Sequence, residues 1–387
     1  MNKTKKLLIL GIDTSCDDTS VAILEEDRVL SNVISSQVSL HREFGGVVPM
    51  IAKREHESRI DLVIQQAIKN GSKILKRKIS LKDIDVVAVT YGPGLSIALE
   101  VGIKKAKEIA LKYNIKLVGV NHMEGHLLSS LTLNSKSKGQ IHYRDLKYPV
   151  LGLLISGGHT QLILMSEIGK YQLMGETLDD AVGEAYDKTA RMLGLGYPGG
   201  QVLTEMAMNG VASEYKFPVP MAKDPSLNFS FSGLKTSVYY LVRNLTRIVP
   251  KINESKNIIK GEKFETRPLT KKQIYNIAAS FELSAITQLQ IKLLKTIRIV
   301  NPRTILVGGG VSSSVKVRAG LRKIINVVNK KSGKNKISIY FPRSQKFTTD
   351  NGAMIGLAGF FKAKRGEYSN LSLDREPNAS LEYVIPA

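Results

Sequence analysis

Apolar and polar residues alternate along the chain in short blocks that predict both strands and helices. Residues 7–12 and 20–24 are apolar and flank a polar loop, a pattern typical of a β-hairpin. The pattern recurs at residues 150–155 and 161–165, on either side of Ser156-Gly-Gly-His-Thr160. Although the two copies share negligible identity, the recurrence favours two lobes related by duplication, each offering a polar hairpin to a shared cleft.

Between the hairpins, apolar spacing predicts helices over residues 54–70 and 103–113 and a short buried strand over residues 85–90. Residues 117–120 are another strand-like run, which leads into Val120-Asn-His122-Met-Glu-Gly-His126-Leu. We therefore predict an α/β fold. At 387 residues the chain exceeds what a single core usually supports, which also favours two lobes.

The two histidines of this last segment stand four residues apart. On a helix both imidazoles project from one face and can bind one metal ion, and open α/β sheets bind ligands at the ends of their strands. The alternative is a pair of solvated or hydrogen-bonded histidines. The best third ligand is Asp350, at a predicted strand-to-helix junction where, alone, it would be interpreted as an N-cap. Two imidazoles and a carboxylate with open positions suit Fe(II) or Zn(II).

Three motifs predict contacts with anions. The loop Asp13-Thr-Ser-Cys-Asp-Asp-Thr19 combines hydroxyls with three carboxylates, although such clusters are also ordinary turn formers. The glycines of Ser156-Gly-Gly-His-Thr160 let the backbone approach a ligand closely. Residues 304–312 are a buried strand that runs into three glycines, and a helix is predicted over residues 313–329, whose first-turn amides favour an anion or nucleotide. Packing alone is the alternative for such a glycine-rich strand end.

The formal net charge of +22 favours polyanionic partners, nucleic acid first. Charge for solubility and adaptation to an organelle with basic proteins are the alternatives. The absence of Trp and the scarcity of aromatic residues argue against a base-stacking platform, so we expect contacts mainly with phosphates. Basic stretches at residues 134–147, 251–272 and 329–336 are predicted as surface loops and as candidate arms that contact phosphate.

An acid-rich segment interrupts this positive charge. Residues 179–188 predict a helix on which Asp180, Glu184 and Asp187 share one face. A solvated face is the usual explanation, but in so basic a chain we expect the carboxylates to meet ribose hydroxyls, a metal or the chain's own lysines. Tyr197-Pro-Gly-Gly200 then predicts a turn along the same cleft.

Several other classes of protein are disfavoured. No run approaches the roughly 18 apolar residues of a membrane-spanning helix, so we expect no membrane contact. The first ten residues predict a strand and not a signal peptide. Cys16 is the only cysteine, which excludes an internal disulfide and indicates a reducing compartment.

Ordered strings over nearly the whole chain resemble the universal family of tRNA threonylcarbamoyladenosine-forming transferases, whose bacterial member is TsaD and which was formerly described as O-sialoglycoprotein endopeptidases. The matching strings are Gly11-Ile-Asp-Thr-Ser-Cys-Asp-Asp-Thr, Gly45-Gly-Val-Val-Pro, His122-Met-Glu-Gly-His, Ser156-Gly-Gly-His-Thr-Gln-Leu, Glu184-Ala-Tyr-Asp-Lys-Thr, Tyr197-Pro-Gly-Gly, Asn228-Phe-Ser-Phe-Ser-Gly-Leu-Lys-Thr and Thr349-Asp-Asn-Gly-Ala-Met-Ile.

The resemblance implies the actin-like ATPase (ASKHA) fold, with two ribonuclease-H-like lobes around a nucleotide cleft. We expect residues 1–130 and 345–387 in the N-terminal lobe and residues 148–344 in the C-terminal lobe. The implied reaction moves threonylcarbamoyl from threonylcarbamoyl-AMP to the exocyclic amine of the adenosine 3′ of the anticodon, in tRNAs that read codons beginning with A. The tRNA and the synthase that makes threonylcarbamoyl-AMP are the implied partners.

Carried over residue by residue, the resemblance implies one divalent metal ion per subunit, Fe or Zn, on His122, His126 and Asp350. It implies that the adenylate, an AMP- or ATP-type moiety of the substrate, is bound by Leu154, Ile155, Ser156, Gly157, Gly158, Asp187, Gly200, Thr204, Gly309, Gly310 and Ser314. No clear general base emerges; Asp13 and Asp17 are the candidates, and the substrate or a metal-bound hydroxide are alternatives. Asp13 replaces the usual bacterial Glu, and Ser314 replaces an Asn that contacts the nucleotide.

The basic charge resembles the mitochondrial branch of the family, which acts without accessory subunits. That branch implies the mitochondrial matrix, with the presequence absent here, and a homodimer that recruits tRNA by charge; the cytoplasm of an AT-rich bacterium is the alternative. Three rival functions remain: a zinc metallopeptidase, a small-molecule kinase of the ASKHA fold and a non-catalytic tRNA-binding scaffold. The first lacks His-Glu-x-x-His, because Glu124 is one residue out of register.

Overall fold

Two five-stranded mixed sheets form the frame of the computed structural model, which describes residues 6–133, 141–247, 267–331, 333 and 335–381. The strands are β1 (Leu8–Asp13), β2 (Asp18–Glu25), β3 (Arg28–Ser36), β4 (Val86–Gly92), β5 (Lys116–Asn121), β6 (Val150–Ile155), β7 (Thr160–Glu167), β8 (Lys170–Glu176), β9 (Thr304–Gly308) and β10 (Ser338–Tyr340). Their orders are β3-β2-β1-β4-β5 and β10-β9-β6-β7-β8.

The two sheets have matching connections. β1 pairs antiparallel with β2 and parallel with β4, while β6 pairs antiparallel with β7 and parallel with β9. Both predicted hairpins are therefore confirmed, and each begins a sheet built in the same way. The matching topology is what the duplicated pattern of the sequence predicted.

Ten α-helices accompany the strands in the described part of the chain. They are α1 (Val38–Arg42), α2 (Pro49–Leu75), α3 (Ser96–Tyr113), α4 (His122–Leu128), α5 (Val182–Met192), α6 (Gly200–Ala207), α7 (Ser232–Thr246), α8 (Lys271–Val300), α9 (Val315–Lys331) and α10 (Gly352–Lys364). The predicted helices over residues 54–70 and 103–113 lie within α2 and α3, and the predicted strands at 85–90 and 117–120 correspond to β4 and β5. None of the described helices is long and apolar enough to cross a membrane.

The helix α10 packs on β1, β2 and β4, so the chain ends its described path on the first sheet. The predicted lobe boundaries, residues 1–130 with 345–387 and residues 148–344, stay a prediction. Between the sheets lies a shared apolar core, to which α4 contributes Leu127 and Leu128, β6 contributes Leu154 and α10 contributes Met354. This core buries α4 between the half of the molecule built on the first sheet and the half built on the second sheet, which we call the first half and the second half.

The acid-rich helix begins later than predicted. α5 starts at Val182, so Asp180 precedes the helix and does not share a helical face with Glu184 and Asp187. The reason is a long-range contact: Asp179 Oδ1 accepts the backbone N–H of Phe231, at 2.8 Å, and holds the segment outside the helix. Side-chain bonds of this kind compete with helical hydrogen bonding.

Asp350 is neither at the end of a strand nor an N-cap. A 3₁₀ turn, Gln345–Phe347, precedes it, and the next residue, Asn351, caps α10 by accepting the N–H of Met354 at 3.0 Å. Asp350 is therefore left with its carboxylate available to the cleft, and the N-cap alternative is wrong.

The helix predicted over residues 313–329 begins two residues later, because a 3₁₀ turn over Gly310–Ser313 separates the glycines from α9. α9 also includes residues 329–331, which the sequence predicted as a loop. Of the other basic stretches, residues 134–140 and 251–266 lie outside the described residues.

Candidate active site

A cleft of about 500 Å³ opens between the two halves. The first half contributes the loop after β1, with Asp17, and the second half contributes the turn after β6, with Ser156, Gly157 and Gly158. α5 forms one wall, and His122, His126 and Asp350 lie on another. The cleft therefore brings together the metal, hairpin and acid-rich motifs of the sequence.

The two histidines are positioned by the local fold of α4. Asn121, at the end of β5, accepts the N–H of Met123 at 2.8 Å and so begins the helix at His122. The helical spacing then turns His122 and His126 to one side. Their Nε2 atoms lie 3.3 Å and 3.1 Å from Oδ1 of Asp350.

The donor set of these three residues fits a divalent metal. One ligand atom from each residue lies within 4.8 Å of the others. The Nδ1 atoms of His122 and His126 are buried and have no hydrogen-bond partner among the described residues, and Oδ1 of Asp13 lies 3.6 Å from Nδ1 of His122. Two imidazoles and a carboxylate are a common ligand set for Zn(II) or Fe(II).

The electrostatics of the cluster also favour a cation. Burial lowers the pKa of His122, but the carboxylates of Asp350 and Asp13 outweigh it and raise the pKa to about 10. Burial by itself raises the pKa of Asp350, yet the neighbouring His122 and His126 hold this pKa well below its usual range. The two carboxylates thus favour a positive charge at this position, which a divalent ion would also supply.

The two predicted bases occupy different positions. Asp13 is fully buried, accepts the hydroxyl of Thr90 at 2.7 Å, and lies behind His122, with 3.6 Å between its Oδ1 and Nδ1 of the imidazole. Asp17 instead lines the cleft, where burial and the nearby Asp350 raise the pKa of its carboxyl.

The turn after β6, residues 156–159, is stabilised by its own hydrogen bonds, and we call it the Ser156 turn. Ser156 Oγ accepts the N–H of His159 at 3.1 Å, and the Ser156 N–H donates to the His159 carbonyl at 2.9 Å. No atom lies within 4 Å of a Cβ added at Gly157 or Gly158, so these two peptides border open space. Leu154 and Ile155, by contrast, are buried in β6.

The remaining predicted substrate residues fall into two groups. Asp187 lines the cleft, and its Oδ1 accepts the N–H groups of Gly199 and Gly200 at 2.9 and 2.7 Å, which fixes the start of α6. Thr204 and Ser314 instead contact Glu282, a buried carboxylate on α8; the Ser314 hydroxyl donates to it at 3.3 Å.

Gly309 and Gly310 follow β9. Gly309 has a φ of +87°, and a Cβ there would lie 2.5 Å from the Ile155 carbonyl oxygen, so only glycine allows the strand end to approach β6 this closely. The strand end is thus adjacent to the Ser156 turn.

Sequence reasoning missed several cleft residues. Lys188 and Arg191 line the cleft from α5, and Lys188 pairs with Glu184 at 2.8 Å. Arg191 donates to the carbonyl of Gly45 at 2.5 Å and so links α5 to the loop before α2. The spacing of Glu184, Lys188 and Arg191 on one helical face was the available signal. Glu282 is 78 residues beyond Thr204, so no local pattern in the sequence could predict their contact.

Two sheets of the same topology around this cleft define the actin-like ATPase (ASKHA) class, as predicted. A search of solved structures supports the class: the structure of full-length HypF in the phosphate- and nucleotide-bound form matches with a TM-score of 0.55 at 12% identity, over 95% of this chain and 57% of that one. At this level of identity the likeness concerns the fold alone.

The sequence carries a closer relationship. The profile of TsaD, tRNA N6-adenosine threonylcarbamoyltransferase, matches residues 28–357. The transferase of that name from Thermosipho africanus (strain TCF52B) is 40% identical over 375 residues, 97% of this chain and 100% of the relative. That of Clostridioides difficile (strain 630) is 39% identical over 376 residues, 97% and 98% of the two chains. The chain belongs to the TsaD family of tRNA N6-adenosine threonylcarbamoyltransferases, which confirms the resemblance; both relatives are bacterial and give the mitochondrial branch no support.

Proposed function

We propose that this protein transfers a threonylcarbamoyl group from threonylcarbamoyl-AMP to the exocyclic amine of the adenosine 3′ of the anticodon, in tRNAs that read ANN codons. The observation that carries the proposal is the convergence of His122, His126 and Asp350 beside the open Ser156 turn, in a chain of the TsaD family. The reaction joins the adenosine nitrogen to the carbamoyl carbon, breaks the bond from that carbon to the phosphate oxygen, and releases AMP and a proton.

His122, His126 and Asp350 would hold one divalent ion, Fe or Zn. When bound, such an ion supplies Lewis-acid polarisation of the carbamoyl oxygen and neutralises the leaving phosphate. The chain's own residues do the positioning. Asp13, behind His122, orients that imidazole, in the way that carboxylates commonly support metal-binding histidines.

The adenylate would lie along the Ser156 turn and α5. No atom lies within 4 Å of a Cβ added at Gly157 or Gly158, which leaves room for a ligand beside this turn, whose backbone N–H groups are the proposed donors. Arg191 adds positive charge on the adjoining wall, whereas the charge of Lys188 is paired with Asp180 and Glu184. Donors fixed before the reaction stabilise charge that develops on oxygen. Leu154, Ile155, Asp187, Gly200, Thr204, Gly309, Gly310 and Ser314 complete the proposed adenylate site.

Asp17 is the preferred acceptor for the amine proton. Its side chain lines the cleft, and burial together with the nearby Asp350 raises its pKa, which makes it a better proton acceptor than an exposed aspartate. Asp13 already accepts a hydrogen bond from Thr90 and is separated from the cleft by His122, so we propose that it positions the His122 imidazole.

The structure also disfavours the metallopeptidase alternative, because Glu124, the candidate general base, does not face the cleft. Glu124 is buried, and its Oε1 accepts the hydroxyl of Tyr171 at 2.9 Å, away from the cleft.

We place the protein in a bacterial cytoplasm because the relatives above are bacterial. The partners we expect are tRNA, the synthase that supplies threonylcarbamoyl-AMP, and a second copy in a homodimer.

The test is a reaction of the purified, metal-loaded chain with threonylcarbamoyl-AMP and unmodified tRNA, read by nucleoside mass spectrometry. His122→Ala should abolish the modified adenosine. His142→Ala is the matched control, because His142 pairs with Asp27 at 2.9 Å and lies outside the cleft. Equal product from wild type and His122→Ala would contradict the assigned site. No product from a chain that binds metal and adenylate would contradict stand-alone transfer, and ATP-dependent phosphorylation of a small molecule would favour the kinase.

A further inference from the structure

Two exposed tyrosines and an arginine follow one side of α7. Tyr239 and Tyr240 are 50% and 54% exposed, and their ring centroids lie 5.5 Å apart at an interplanar angle of 68°. Arg243 is exposed, about one helical turn beyond them. We refer to Lys235, Tyr239, Tyr240 and Arg243 as the α7 strip.

The strip faces away from the core. Leu234 and Val238 of α7 are fully buried in the apolar core of the second half. With about 100° of rotation per residue, Tyr239, Tyr240 and Arg243 fall on the opposite side of the helix. These rings are therefore not explained by packing within the described structure.

The strip is also positively charged. α7 contains no Asp or Glu between Ser232 and Thr246. Among the described residues, no carboxylate forms an ion pair with the guanidinium of Arg243. Aromatic faces beside an unpaired guanidinium are the groups that bind single-stranded nucleic acid, because each base has a π-face and each phosphate accepts from arginine.

The first residue of the strip is linked to the cleft wall through a shared carboxylate. Lys235 Nζ lies 2.5 Å from Asp180 Oδ2, and Lys188 Nζ lies 2.6 Å from the other oxygen of the same carboxylate. Lys188 lines the cleft. One carboxylate thus joins the first residue of the strip to the cleft wall.

We propose that the α7 strip binds the anticodon loop of the tRNA, with Tyr239 and Tyr240 stacking on unpaired bases and Arg243 contacting phosphate. The proposal rests on the proposed function, in which the acceptor adenosine belongs to that loop and must enter the cleft. Its neighbouring nucleotides then lie outside the cleft, and the strip is joined to the cleft wall through Asp180. Single-stranded loops are the part of an RNA whose bases are free to stack on protein rings.

The inference revises one expectation from composition. Aromatic residues are few in this chain, at 6%, which argued against a stacking platform. Two adjacent tyrosines are nevertheless enough for local stacking when a helix exposes both beside a positive charge.

The test measures the affinity of the full, metal-loaded chain for a fluorescent anticodon stem-loop RNA. We expect Tyr239→Ala with Tyr240→Ala to raise Kd about five-fold or more, the low end for loss of a stacked base. Tyr239→Phe with Tyr240→Phe should retain the affinity, because stacking needs the ring and not the hydroxyl. Arg243→Gln should lower the slope of log K against log salt by about 0.7.

Tyr368→Ala is the matched control, because Tyr368 is 46% exposed but lies after α10, on the other half. A halogenated uridine in the loop should photo-crosslink to the peptide that contains Tyr239 and Tyr240. Binding of the adenylate and the melting temperature should be unchanged in the strip variants, which separates RNA contact from misfolding.

Three contrary outcomes are distinguishable. Unchanged RNA affinity in the alanine variants, with normal tRNA modification by the wild type, would overturn the strip and leave the proposed function standing. A wild type that neither binds nor modifies tRNA would overturn the proposed function itself. Loss of binding to a protein subunit, with RNA affinity intact, would also overturn the strip and identify it as a protein interface.

Discussion

Replacing Gly308 with alanine drives a methyl group into the backbone that carries His126. A Cβ built on Gly308 lies 2.1 Å from the carbonyl oxygen of His126 and 2.8 Å from its carbonyl carbon. Real Cβ atoms essentially never approach other heavy atoms within 3.0 Å, so β9 and α4 must separate by about 0.9 Å. α4 has no free side toward which to move, because every residue from His122 to Leu128 is buried.

The magnitude follows from this displacement. Overpacking a core costs about 1–3 kcal/mol, and the upper half of that range applies because the clash is between backbones. Metal ligands must be held within about 0.5 Å of their productive positions, so a shift of this size also disturbs His126. We expect the free energy of unfolding to fall by about 2–3 kcal/mol, and the affinity for metal to fall about ten-fold or more.

Urea unfolding of the metal-free protein measures the first effect, and zinc titration against a chromophoric chelator measures the second. Gly310→Ala is the control. A Cβ there meets only Thr349 Cγ2, at 3.9 Å, and the φ of Gly310 lies outside the left-handed region. If Gly308→Ala matched Gly310→Ala in both measurements, the contact between β9 and α4 would not position His126, and the reasoning would be refuted.

Three further predictions concern buried groups and the Ser156 turn. Tyr171→Phe removes the donor to Glu124 and leaves a buried carboxyl unsatisfied, so denaturant unfolding should show a loss of about 1–3 kcal/mol, against no loss in Tyr240→Phe. Burial raises the pKa of Glu282 in the folded state above 4.5, its ordinary value. The stabilisation that this shift contributes to the folded state is therefore fully present below pH 4.5, and it is lost as the pH rises through the folded-state pKa of Glu282. Glu282→Gln should therefore gain stability relative to wild type as unfolding is measured from pH 4.5 to about pH 8, and a constant difference would contradict this. Gly157→Ala has open space for its methyl group, so stability should stay within about 0.5 kcal/mol while calorimetry shows weaker adenylate binding; unchanged binding would mean that no ligand approaches this peptide.

Much of the fold was predictable because its signals are local. The two hairpins follow from apolar runs on either side of polar turns, and α2 and α3 follow from helical spacing. The start of α5 was not predictable, because it depends on Asp179 reaching the N–H of Phe231, 52 residues away. The pattern of acids alone could not show that this bond would replace a turn of helix.

The candidate site divides in the same way. The four-residue spacing of His122 and His126 is a local signal, but Asp350 is 224 positions after His126 and is brought to it only by the tertiary structure. The alternative of an N-cap at Asp350 is wrong because two adjacent polar residues compete for that role, and Asn351 caps the helix. Glu282 and the bond from Arg191 to Gly45 arise from contacts between distant segments, for which a single sequence carries no period or motif.

One strand end connects the parts of the site. Gly308 contacts the backbone of His126, Gly309 contacts the Ile155 carbonyl at the start of the Ser156 turn, and Gly310 faces Thr349, next to Asp350. Three consecutive residues thus lie against a proposed metal ligand, the proposed adenylate turn and the segment that contains the proposed third ligand. Because an interior packed this closely transmits strain, a displacement of β9 must move these parts together. The three glycines that the sequence predicted as a nucleotide loop therefore have a second physical role, since they set the distance between the proposed metal and adenylate sites.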